Sequence, residues 1–169
     1  MSSDTPPDHV DGILAQWRSE RPDLDPSPIG VVGRLHRLAE TLNHELCVIF
    51  ASAGLSDGDF DMMAALRRSG KPWSLTPTEL AASTMVTSGA ITKRVDRLEG
   101  AGLVTRTVAE DDARSRRITL TPRGKQLIDD LLPHHLANER RLLAPLTDPE
   151  QAELARLLKK WGQGLDGHR

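Results

Sequence analysis

A chain of 169 residues, 38% hydrophobic and 27% charged, is about one folded domain with room for accessory helices, and no apolar run approaches the roughly eighteen residues that cross a bilayer. Cys47 is the single cysteine, which excludes an intrachain disulfide framework and a cysteine-rich zinc site; 3% aromatics without a tyrosine leave too few rings for a single-strand binder built on stacked bases. The net charge of −2, taken alone, argues against nucleic acid.

In chain order, the polar, acidic start from Met1 to Asp11 is unlike a signal peptide, so a cytoplasmic protein is expected. Val10, Ile13, Leu14 and Trp17 form one helical stripe that ends before the stretch from Pro22 to Pro28. Ser27 is placed to cap the next helix with Pro28 at its first position, and Val32, Leu35, Leu38, Leu42, Leu46, Ile49 and Phe50 carry it to Gly54. Ser56 caps a third helix through Phe60, Met63 and Leu66. Thr76-Pro77-Thr78-Glu79 combines cap, N1 proline and reciprocal glutamate, the start of a short fourth helix. A fifth runs from about Val86 to Ala101. Leu103 to Val108 and Arg116 to Leu120 then read as two strands around a polar tip. Thr121-Pro122 opens a sixth helix that Pro133 is expected to kink or interrupt, and Asp148-Pro149 opens a seventh with Leu154, Leu157, Leu158, Trp161 and Leu165 on one face.

Charge is unevenly spread along these elements. From Thr87 to Lys125 nine basic side chains face five acidic ones, about +4, which leaves about −6 for the rest of the chain. Two short helices joined by a tight turn and followed by a basic hairpin are the order of a winged helix-turn-helix, here within a mainly α chain whose β content is a small hairpin wing. At about 100° per residue, Val95 and Leu98 share the face of Ile91, while Gly89, Lys93, Asp96 and Arg97 point away. Small or polar Thr87, Ser88, Gly89 and Thr92 permit close approach to base edges, and Lys93 and Arg97 are expected to reach phosphate or guanine. At the wing, Arg114, Arg116 and Arg117 cluster at a strand start, and an arginine held at the wing tip suits the narrow minor groove, with Asp112 placed to orient Arg114.

The runs SGAITKRVDRLEGAGLVTR (Ser88 to Arg106) and DARSRRITLTPRGKQLI (Asp112 to Ile128) resemble the MarR family of winged-helix transcriptional regulators, through the D-x-R wing at Asp112 and Arg114 and the L-T-x-x-G motif at Leu120, Thr121 and Gly124. The resemblance implies a homodimer, a regulator of the repressor class that places two winged domains on a palindromic operator in double-stranded DNA, with no cofactor. It divides the chain into an N-terminal extra helix and dimerisation helix (1–54), the DNA-binding domain (55–122) and C-terminal dimerisation helices (123–169). The terminal apolar stripes exceed what one small winged domain covers, which fits burial against a second chain.

An extra N-terminal helix carrying Trp17, with Asp61, Arg94 and Arg106, further resembles the branch of the family that answers to urate or related small organic anions such as trans-aconitate. That resemblance implies a ligand site of these four residues. Arg94, about 60° from the packed centre of its helix, is poorly placed as a groove reader and is expected to face a pocket. A buried Asp61–Arg106 pair is expected to tie the third helix to the wing, and breaking such a pair costs about 3–5 kcal/mol, enough for a competing anion to move the recognition helix. Regulation without an anion site, by redox at Cys47 or by pH at His36 and His44, stays open, as does a helical protein-binding adaptor. His134 and His135 are adjacent and diverge, and Asp57 and Asp59 around Gly58 lack the other ligands of a calcium loop, so no metal is expected. His44-Glu45 meets Val48 where a zinc protease needs its second histidine, and no phosphate loop or nucleophile elbow occurs, so no enzyme is expected either.

Overall fold

A computed structural model of the chain describes residues 6–84, 91–108 and 116–167. Its elements run α1 (His9–Glu20), α2 (Ser27–Ser52), α3 (Asp57–Arg68), β1 (Ser74–Leu75), α4 (Pro77–Ser83), α5 (Ile91–Gly100), β2 (Val104–Val108), β3 (Arg116–Leu120), α6 (Pro122–Leu143) and α7 (Asp148–Asp166). The chain divides into two compact units, residues 1–45 and 46–169, with the division inside α2.

In the first unit, Asp8 caps α1 and exchanges hydrogen bonds with Asp11 in a capping box. Val10 and Leu14 are buried, whereas Trp17 of the same stripe is exposed. Arg34 of α2 donates to Asp8 (2.8 Å) and Asp11 (2.7 Å), and this arginine, followed by the Asp11 backbone N–H, holds the Asp8 carboxyl down at about 2. The start of α2 differs from the expected serine cap. Ser27 is already helical, and Asp25 accepts from its backbone N–H and hydroxyl.

The second unit holds the core. Phe50, Leu55, Phe60, Met62, Met63, Leu66, Leu80, Ile91, Val95, Leu98, Leu103, Val104, Ile118, Leu120 and Ile128 are buried in one cluster, built from apolar positions at helical spacing in α3 and α5 and alternate residues of β3. The two expected strands gain a third: β1 pairs antiparallel with β3, which pairs with β2, giving the order β1-β3-β2. Two residues are too few to show an alternation, so β1 had no readable signature.

The junction after the wing explains the L-T-x-x-G motif. Thr121 caps α6, accepting from the Gly124 N–H (3.0 Å) and donating to the Gly102 carbonyl (2.8 Å). A Cβ at Gly124 would lie 2.0 Å from the backbone oxygen of Leu103, so the helix approaches β2 as closely as only glycine permits. Farther on, α6 passes through Pro133 without interruption. Pro133 is exposed, while Ile128 and Leu131 are buried in the core. Lys125 and Arg67 both donate to Asp129 (2.6 Å each), binding α3 to α6; Lys125, then Arg67, keeps that carboxyl below its usual range.

Candidate functional site

The helix-turn-helix is set by two capping boxes. Thr76 accepts from the Glu79 N–H while Glu79 accepts from the Thr76 N–H, starting α4 with Pro77 in its first turn. Ser56 and Asp59 do the same for α3. Between these helices and the sheet lies α5, with Ile91, Val95 and Leu98 buried.

The polar residues of α5 sort by flank. On one flank Asp96 and Glu99 both pair with Arg106 of β2, and Glu99 also accepts from the Arg106 backbone N–H (3.0 Å). Asp96, and then Glu99, holds the Arg106 guanidinium more firmly protonated. On the other flank Arg97 donates through Nη2 to both carboxylate oxygens of Asp59 (2.5 and 2.6 Å) and to the Ser56 hydroxyl (2.9 Å). Arg94, one turn earlier, lays its guanidinium over Gly58, where a Cβ would stand 2.4 Å from Cζ. Arg94 Nη1 is buried without a hydrogen-bond partner among the described residues. What remains of the polar set is Thr92 and Lys93, both exposed and forming no side-chain hydrogen bond or ion pair among the described residues.

The expected Asp61–Arg106 pair is therefore corrected. Arg106 lies beside the two acids that α5 presents a turn apart, and these take its guanidinium. Asp61 sits 3.9 Å from Arg68 on its own helix. The two residues line separate cavities: Arg106 one of about 320 Å³ with Pro77, Thr92, Asp96 and Arg116, Asp61 one of about 150 Å³ with Phe50, Phe60 and His135. Trp17, in the first unit, lines a mostly apolar cavity of about 280 Å³ with Leu24, Pro26 and Ile29. His135 packs against the rings of Phe50 and Phe60 and lies 3.2 Å from Glu139; His134 is exposed and Cys47 half-buried.

At the wing, strand alternation separates two adjacent arginines. Arg116 is exposed at the start of β3, whereas Arg117 turns back to donate to the Ser74 carbonyl (2.8 Å) and hydroxyl (3.1 Å) of β1. Thr87, Ser88, Gly89, Asp112 and Arg114 lie outside the described residues. Sequence reasoning missed Gly58 and Asp59 as supports of α5. The S-x-x-D box was the available signal, but nothing in it names the arginine it receives. Among the described residues no group of three or more histidines, cysteines and carboxylates is arranged to hold a metal ion, and no helix is long and apolar enough to cross a membrane.

Comparison with known proteins gives the same picture. The MarR family profile matches residues 53–115. The transcriptional regulator PecS of Dickeya dadantii (strain 3937) is 38% identical over 160 residues, covering 95% of this chain and 96% of its own. AbsC, a MarR family regulator from Streptomyces coelicolor, superposes with a TM-score of 0.77 at 26% identity over 85% of this chain and 97% of its own. The Mycobacterium tuberculosis MarR family protein Rv2887, in complex with p-aminosalicylic acid, does so at 0.60 with 32% identity, over 78% and 98% of the two chains.

Proposed function

The chain belongs to the MarR family of DNA-binding transcriptional regulators, and from that premise we propose that it works as a cytoplasmic homodimeric repressor that reads a palindromic operator and responds to a small organic anion. It is not an enzyme. The observation that carries the DNA reading is the state of α5: its two arginines and two acids are engaged with α3 and β2, and Thr92 and Lys93 are the side chains left exposed for a groove. In this reading Thr87, Ser88 and Gly89 also contact base edges, while Asp112, Arg114 and Arg116 serve the minor-groove contact.

The dimer is supported by α7, where Leu157 and Leu158 on one face are among the leucines left exposed. An anion site is supported by the Arg94 nitrogen that has no partner among the described residues and by the cavity against Arg106, two of the four residues that the family resemblance implies together with Trp17 and Asp61. The small aromatic carboxylate held by Rv2887 is a ligand of the same charge class. Competition by an anion for Arg106 would take it from Asp96 and Glu99, loosening α5 from β2 and lowering operator affinity.

Titrating a palindromic duplex selected from a randomised pool, across a salt series, tests the DNA reading. Lys93→Ala and Arg116→Ala are expected to weaken binding, with the salt slope shallower by about 0.9 for each phosphate no longer neutralised. Urate and trans-aconitate added to the complex test the effector. Release that disappears in Arg106→Ala supports it, and no release by either anion overturns it.

A further inference from the structure

We propose that Asp59, in the first turn of α3, is the positioning residue of the recognition helix, so that Arg97 contributes to operator reading through Asp59 and not by touching DNA; this rests on α5 being the helix that reads the operator. Among the described residues four helices begin with a capping box, closed by Asp11, Asp59, Glu79 and Glu150. Three of these acids are half-buried or exposed, so a box needs no burial. Asp59 alone is sunk to 1% exposure. Burying a carboxylate is costly unless its oxygens are satisfied by charge and hydrogen bonds, and those come here from Ser56 and from Arg97 on another helix.

Arg97 comes from an exposed position on α5 and bends back over the turn, giving both its short Nη2 contacts to the buried carboxylate. Arg94, three residues earlier on the same flank, fits over Gly58, the residue next to Asp59. The opposite flank is held by Arg106 on Asp96 and Glu99. A helix of ten described residues with three buried apolar anchors is thus fixed against rolling by charged tethers on both sides. Reading base edges depends on side chains meeting fixed donor and acceptor patterns, whereas phosphate contacts tolerate small shifts. Loss of the Asp59 tether is therefore expected to cost selectivity more than general DNA affinity.

The test uses the full-length protein, fluorescence anisotropy across a salt series, the selected palindromic duplex and an unrelated duplex of equal length. Arg97→Gln and Asp59→Asn are each expected to weaken the selected duplex about tenfold and the unrelated one less than about twofold, with the salt slope unchanged. The double variant is expected to be no weaker than either single one, because both remove one interaction. A shallower slope in Arg97→Gln with both duplexes weakened equally makes Arg97 a phosphate contact and overturns the proposal. So does parental selectivity in Asp59→Asn. Should Asp59→Asn fail to fold, Arg97→Gln, at an exposed position, decides alone. Lys93→Ala separates the premise from the proposal: no effect on either duplex removes α5 as the reader, whereas weakened binding with unaltered Arg97→Gln selectivity overturns the Asp59 role only.

Discussion

The winged region and the terminal helix use the same residue type in opposite ways. Leu66, Leu80, Leu98, Leu103 and Leu120 are buried among α3, α4, α5 and the sheet, while Leu154, Leu157, Leu158 and Leu165 of α7 are all exposed, the last at 59%. An apolar stripe at helical spacing is written in both, so the stripe itself does not say whether its partner lies in the same chain. The difference teaches that the winged region completes its core within the chain while the α7 stripe stays exposed, a stripe that the proposed function assigns to a second copy.

The contrast breaks most forcefully at Gly124. An alanine there places its Cβ 2.0 Å from the Leu103 backbone oxygen, and backbone, unlike a side-chain tip, cannot swing aside. Gly124→Ala is expected to cost about 3 kcal/mol or more of unfolding free energy, seen as a lowered midpoint in urea denaturation with loss of DNA binding. Unchanged stability would mean that α6 and β2 are not this tightly joined.

A smaller effect, confined to the other region, is expected from Leu157→Asp combined with Leu158→Asp. Each leucine that no longer leaves water on association forfeits about 1.5–3 kcal/mol. Sedimentation is therefore expected to show monomer in place of dimer, while circular dichroism retains the helical signal. A dimer of parental strength would assign the α7 stripe to something other than a second copy.

The two regions also differ in how much of them was legible. The caps at Ser56, Thr76 and Thr121 and the buried face of α5 follow from local rules, so chain order sufficed. Charge partners did not follow. Helical angle puts Arg97 outward, as its exposed position confirms, yet a long guanidinium reaches sideways to Asp59. The expected partner of Arg106 is Asp61, but two acids one turn apart on the adjacent α5 take it. Pairing is settled by which elements lie side by side, and that information is tertiary. For the same reason β1, two residues long and defined only by its pairing with β3, left no trace in the pattern.

The first unit sharpens the comparison from a third side, because its α1–α2 contact relies partly on an exposed ion-pair cluster. Arg34 bridges Asp8 and Asp11, and the Asp8 carboxyl is held at about 2 against an ordinary 3.8. A depressed folded value means that the paired form contributes fully above the ordinary value and is lost as pH falls through the folded one. The Asp8 contribution is thus present above pH 3.8 and disappears as pH falls toward about 2. Salt screens so exposed a cluster, so this is the smallest of the effects. A carbon-13 titration of the Asp8 carboxyl is expected to show its midpoint well below 3.8 in the parent and near it in Arg34→Ala. Equal midpoints in the two proteins would remove the ion pair as a support of α1 and leave Val10 and Leu14 to hold that helix.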